Sequence, residues 1–322
     1  MKTAFGAAFA AIAAVGFAGC AQQNASLPSS PAANVAARHS WMEPGAKPKQ
    51  ILYVSDPYLG VVNLYDPSRQ DPRPIGQLAD FKRPEGLLVD SGNDIFVTDA
   101  GERRVTGYRE GSLFPFFAFE DSSGHPNDIC NEAYSPTFYV VNATSAGGGY
   151  GQTIDVYANE SRKPTSTLTD SNASALFYCA VDQKGDLFVT LDNAAGGSAP
   201  GEIDEFPSGK TTPVVLIKGL ASPAGILLDV HDNLVVSDTF AHEVDIFAPP
   251  YKKGYPKSSF GVNGLIVQLA LDQTATHLWG ADAAHAVAQE LSYPDGVLEN
   301  ETKSVQLFGP AGVAIAPPEL RH

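Results

Sequence analysis

The chain has 322 residues, 18% of them charged, and a formal net charge of −15. That length can bury one large core or two ordinary ones, and the acidity excludes a nucleic-acid partner, which would need a basic face. Val, Ile, Thr, Phe and Tyr fall in short runs between frequent Gly and Pro, with no long helical period, so the composition points to an all-β protein rich in turns.

Residues 1–19 read as a signal peptide. Lys2 precedes an Ala-rich apolar stretch that is too short to cross a membrane and gives way at once to polar sequence. The segment "FAGC", ending at Cys20, resembles the lipobox of bacterial lipoproteins, with Phe17 where Leu is commoner. The resemblance implies lipidation of Cys20 and an extracytoplasmic place, with the membrane met through the lipid anchor only. Ala21 is not Asp, which by the sorting rule of some Gram-negative bacteria implies the outer membrane or periplasm. Without the lipobox the same leader implies secretion. Residues 20–49 hold the lipidated Cys and a segment rich in Ala, Ser, Pro and Gln with no strand pattern, expected to be a flexible tether. The Asn-X-Ser/Thr matches at Asn24, Asn142, Asn159, Asn172 and Asn300 read as chance beside a bacterial lipobox.

From residue 50 the chain repeats itself. "PEGLLVDSGNDIFVTDAGERRVTGY" from Pro84 returns as "PAGILLDVHDNLVVSDTFAHEVDIF" from Pro223. Each unit offers an apolar strand often ending in an acid, a second strand such as "IFVTD", and a third of the form V/I-x-x-aromatic. The third strands end at Tyr65, Tyr108, Tyr157, Phe206 and Phe247, with a weaker copy ending at Leu291. A spacing of roughly 40–50 residues is the length of a four-stranded propeller blade. The first unit, "ILYVSD" at Ile51, lacks a first strand, and "PAGVAIA" at Pro310 is a first strand standing alone. Pairing the two incomplete ends removes the exposed edge. The expectation is an all-β, six-bladed β-propeller over residues 50–318, closed by pairing the C-terminal strand into the first blade, with residues 319–322 as a tail.

These repeats resemble the NHL family and the wider six-bladed group that includes SMP-30/gluconolactonase-like proteins. The likeness is carried by segments such as "SDTFAHEVDIF" and covers nearly all of residues 50–318. It speaks to fold more than function, since propellers host lyases, lactonases, receptors and scaffolds. In metal-dependent lactonases of the SMP-30 kind, one Glu, two Asn and one Asp at the channel mouth hold a divalent cation such as Ca2+. Here Glu85 in "PEG" and Asn127 and Asp128 in "PND" stand at first-strand starts and are the candidate metal ligands. The set is incomplete. Ala224 replaces an expected acid, blade four offers "LFYC", and Glu85 sits in the blade next to Asn127. No other cofactor is implied.

The acids ending the second strands, Asp56, Asp99, Asp192, Asp238 and Asp282, recur in nearly every blade, with Asn142 in blade three. Such recurrence favours backbone capping in tight turns over a cation ring. Two long Gly-rich turns, "NATSAGGGYGQ" and "LDNAAGGSAPG", are expected side by side on the upper face, the face that carries first-strand starts and second-to-third-strand turns. Gly148, Gly149 and Tyr150 are the candidate ligand contacts there, against plain loop tolerance. Cys130 and Cys179 admit either a disulfide or two buried thiols; aligning Glu132 with Asp182 puts them one step out of register. The basic "PPYKKGYPKSSF" reads as a solvated hairpin. The leading function is a lipid-anchored binding module taking a protein, small-molecule or carbohydrate ligand on its upper face. The alternative is an SMP-30-like metal-dependent lactonase or hydrolase.

Overall fold

The computed structural model describes residues 39–318 apart from 122, 133–134, 146–148, 160, 193–199, 252–253 and 303–306. The leader, Cys20, Gly148 and the tail lie outside the described residues. Among the described residues every named element is a strand, and the strands form six sheets. Blade two shows the pattern: Pro84–Val89, Ile95–Asp99, Arg104–Tyr108 and Pro115–Glu120 run inner to outer as an antiparallel meander. The inner strands ring a central axis in the order Gly312–Ala316, Pro84–Val89, Gly124–Asn131, Ala175–Val181, Pro223–Leu228 and Ile266–Leu271, each packed on the next.

Blade one closes the ring as expected. Ile51–Asp56 pairs on one side with Val61–Tyr65 and on the other with Gly312–Ala316, in the register Leu52 to Ile315 and Val54 to Val313. Residues 310 onward therefore complete a blade begun at residue 51. The blade also starts earlier than the tether reading allows. Trp41 and Met42 pair with Gln77 and Gly76 on the outer strand, Pro74–Leu78. Two residues are too short to show a period of two, so composition alone assigns them to the tether. The free backbone edge of Pro74–Leu78 is what recruits them.

The apolar core is not on the axis. Six clusters of buried side chains lie between blades, each spanning two neighbours. This explains why the second and third strands are apolar on both faces: "ILYVSD", "VVNLY" and "LVVSD" are buried at every position. The aromatic ending the third strand of blades one to five enters such a cluster, with Leu291 in its place in blade six; Tyr65, Tyr157, Phe206 and Phe247 are all 0–2% exposed. The acids after the first strands form turns. Asp90 Oδ1 accepts from the amides of Gly92 and Asp94, and Asp182, Asp229 and Asp272 cap their turns in the same way.

Cys130 and Cys179 are disulfide-bonded, with Cα atoms 5.8 Å apart. Their registers match when counted from the other end of the strand. Cys130 pairs with Tyr139 and Cys179 with Val189, each three residues before the corresponding polar residue of the second strand, Asn142 or Asp192. Blade four carries an extra residue in both strands near the lower turn, so Asp182 is a false anchor for alignment. The bond joins the inner strands of blades three and four and closes a loop with a sequence separation of 49. Chain-entropy reasoning makes it worth about 4 kcal/mol. The Cys130→Ser/Cys179→Ser variant is therefore expected to melt several degrees lower than the parent, with the parent falling to the same temperature in reductant. Equal melting of parent and variant would show that the bond restricts nothing.

Candidate functional site

The upper channel mouth is built by irregular inner strands. In blades two, four, five and six the inner strand inserts one extra residue against its partner, between Pro84 and Leu87, Leu176 and Cys179, Pro223 and Ile226, and Ile266 and Leu269. Blade three has its irregularity at Asn127, between Pro126 and Asp128. Such bulges re-aim side chains, and here they bring polar groups onto the axis.

Gln268 of blade six lies buried at the centre. Its Oε1 accepts from the amides of Leu87 (3.1 Å) and Val313 (2.9 Å), and its Nε2 donates to the Leu87 carbonyl (3.1 Å) and to Asp128 Oδ1 (2.8 Å). Asp128 Oδ2 accepts from the Cys179 amide at 3.0 Å. Two side chains thus tie together blades six, two, one, three and four. Burial pushes the Asp128 carboxyl up to about 7, opposed by the Cys179 and Ile129 amides. Asn127 donates from Nδ2 to the Phe177 carbonyl at 2.8 Å. Glu85 is paired with Arg83 at 2.9 Å; burial lifts its carboxyl to about 7, and Arg83 works against the rise. Burial beside Asp128 and Glu85 also raises the Tyr178 hydroxyl well above its ordinary range.

The sequence-predicted trio of Glu85, Asn127 and Asp128 therefore does reach one mouth. Each member is engaged there by a protein partner. Below it the channel holds a cavity of about 180 Å3, walled by Leu87, Ile226, Leu228, Leu269, Leu271 and Ile315. Among the described residues no three His, Cys, Asp or Glu side chains gather as a metal set. Gln268 escapes a search for acids and Asn. Its signal was a lone amide in the otherwise apolar "IVQLAL".

Hydroxyl side chains stitch the rim. Ser55 Oγ donates to the Glu85 carbonyl (2.5 Å), Thr98 Oγ1 to those of Gly86 and Asn127 (3.0 and 3.1 Å), and Thr190 Oγ1 to that of Ala224 (2.8 Å). Ser237 Oγ reaches the Ile266 carbonyl in the same way. All but the Thr98–Gly86 bond reach a neighbouring blade.

The second-strand acids are caps. Asp99 Oδ1 accepts from Arg83, Gly101 and Glu102 amides and Oδ2 from Lys82, so the turn and the incoming connection are clamped together. Asp238 accepts from Ala221 and Ser222, and Asp282 from Leu265, Ala284 and His285. Asp56 takes Tyr58 and Leu59 amides on Oδ1 and the Phe308 amide on Oδ2. That last bond brings the backbones of two exposed aromatics to one carboxylate. Tyr58 is 63% exposed and Phe308 72%, and the Tyr58 ring lies over Gly309, where a Cβ would come within 2.7 Å of it. Of the Gly-rich turn candidates, Gly149 is exposed and Tyr150 opens the third strand of blade three opposite Thr144. Tyr251, from the basic stretch, is structural: its hydroxyl donates to the Asp232 carbonyl and its ring meets Phe188 edge-on.

Comparison with solved structures finds the same architecture at low identity. A chain of the nidogen/laminin complex matches with TM-score 0.67 and 14% identity, over 84% of this chain and 100% of that one. A functionally unknown protein from Desulfotomaculum acetoxidans matches with TM-score 0.57 and 12% identity, over 84% and 99%. Kuenenia stuttgartiensis hydrazine synthase matches with TM-score 0.56 and 14% identity, over 86% and 88%. No family model matches the sequence, and no curated protein does.

Proposed function

We propose that this chain is an extracytoplasmic interaction module of the NHL-like and SMP-30-like propeller group, anchored through a lipidated Cys20 and binding a protein or carbohydrate partner on its upper face. The observation that carries the reading is that Tyr58 and Phe308, two exposed large aromatics, have their backbone amides bound to one buried carboxylate. Rigid exposed aromatics are the usual anchors of interfaces. The channel mouth agrees with this, since Asn127, Asp128 and Gln268 are spent on joining blades. A propeller chain solved within a nidogen/laminin complex is a precedent for the fold in assembly.

Photo-crosslinking in producing cells tests the face. A crosslinker at Phe308 should trap a discrete protein or glycan adduct, and one at Tyr255, 81% exposed on the opposite face, should not. Identical products at both positions would reject the upper face. In the same cells Cys20→Ser should leave the membrane fraction; unchanged fractionation removes the anchor from the proposal. Lactone hydrolysis lost in Glu85→Gln would replace the module with the metal-dependent lactonase.

A further inference from the structure

Each blade carries a buried polar residue two places before the end of its third strand: Asn63, Thr106, Asp155, Asp204, Asp245 and Gln289. Blade six shows what this position meets. Gln289 Nε2 donates to Asp282 Oδ2, at the end of the second strand, and to the carbonyl of Asn263, in the incoming connection, at 2.7 and 2.9 Å. A donor thus sits between two acceptors.

Blade three puts acceptors in all three places. Asp155 replaces Gln289, Asn142 replaces Asp282, and Asp121 comes from the incoming connection. These three side chains are 0%, 0% and 2% exposed. Each is fixed by one end. Asp121 Oδ1 accepts from the Ser123 and Gly124 amides (2.9 and 3.1 Å), Asp155 Oδ1 from Ser123 Oγ and Thr167 Oγ1 (2.9 and 2.6 Å), and Asn142 Nδ2 donates to Thr153 Oγ1 (3.4 Å). The other ends, Asp121 Oδ2, Asp155 Oδ2 and Asn142 Oδ1, are buried with no hydrogen-bond partner. Gly124 holds the pieces close: its amide binds Asp121, and a Cβ on it would lie 2.7 Å from the Asn142 side chain. Three buried oxygens without partners thus stand at the positions where blade six sets an N–H donor between two acceptors. A buried acceptor-only site calls for a cation or a proton to satisfy it.

We infer that Asp121, Asn142 and Asp155 form a cation site in blade three that takes a hard divalent ion of the calcium class. Oxygen-only ligands, two of them carboxylates and one an amide, suit that ion. Asp121 and Asp155 lie close enough to interact, and burial together with the Asp155 charge raises the Asp121 carboxyl above its ordinary range. Blade four repeats the pair, with Asp170 Oδ2 and Asp204 Oδ1 likewise buried and unpartnered. This site is distinct from the channel mouth, and its ion would brace the entry to blade three.

The test uses the full chain, stripped with EDTA and titrated with CaCl2 at constant ionic strength while thermal unfolding is followed. Saturable stabilisation is expected, with a midpoint of about 0.1–1 mM, the range of modestly charged oxygen sites in extracellular modules. At 10 mM CaCl2 the folding constant should rise roughly 10- to 100-fold. Asp155→Asn should abolish the response while melting no lower than the stripped parent, because it supplies the donor that blade six uses. Asp121→Asn should abolish it too, and Glu85→Gln should leave it intact. A parent without saturable stabilisation, or a full response in Asp155→Asn and Asp121→Asn, would overturn the assignment. Loss of the response in Glu85→Gln alone would move the ion to the channel mouth and overturn it equally.

Discussion

A chain cut before Gly309 is expected to lose its cooperative fold and to aggregate. The deletion removes the inner strand of blade one, in which Val313, Ala314, Ile315 and Ala316 are 0–5% exposed. Burying one Val or Ile side chain is worth about 1.5–3 kcal/mol, so the strand's apolar contacts alone approach the 5–15 kcal/mol by which a typical domain is stable. The cut also exposes the backbone edge of Ile51–Asp56 and the faces of Leu52 and Val54, and it leaves Gln268 Oε1 without the Val313 amide. Circular dichroism melting and gel filtration check the result. A truncated monomer melting like the parent would mean that the ring does not need its last strand.

The second large effect is expected from Gln268→Ala. The substitution strands four groups in the channel: the Leu87 amide and carbonyl, the Val313 amide and Asp128 Oδ1. Leaving buried polar groups unpaired costs about 1–3 kcal/mol each, more for a charged one, so a loss of about 3–5 kcal/mol is expected after partial relaxation. The loss should depend on pH. Asp128 already titrates above its unfolded value, and removing its amide donor raises it further. A carboxyl with a raised folded-state pKa is least costly when protonated, so its penalty is absent below the unfolded value near 4 and grows as pH rises through 7. Gln268→Ala should therefore be milder at pH 4.5 than at pH 8. Gln268→Glu should exaggerate the trend, because it sets a second carboxylate against Asp128. Melting temperatures at both pH values decide the matter: a loss independent of pH would show that Asp128 does not feel Gln268.

Residue pattern carried the architecture further than the site. Third strands ending in Tyr65, Tyr157, Phe206 and Phe247 announce themselves because the gap between blades demands an aromatic at that place. The closure was legible in the two incomplete ends of the repeat. Trp41–Met42 was not, since a two-residue strand is recruited by an edge elsewhere. The Cys130–Cys179 pairing was hidden by one additional residue in each strand of a single hairpin. At the mouth, Glu85, Asn127 and Asp128 could be placed because they begin inner strands. What binds them could not: the partner of Asp128 lies at position 268, and of Asn127 at position 177. The Asp121–Asp155 contact was equally silent, because a connection and a third strand share no spacing rule.

The closing strand pair also fixes the order of events during synthesis. Ile51–Asp56 leaves the ribosome among the first folded segments, and its neighbour Gly312–Ala316 leaves among the last. Every intermediate length of nascent chain therefore presents an unsatisfied strand edge at residues 51–56, and no partial product can finish blade one. Closing the ring needs a contact between residues 51–56 and 312–316, the kind of non-local pairing that slows folding.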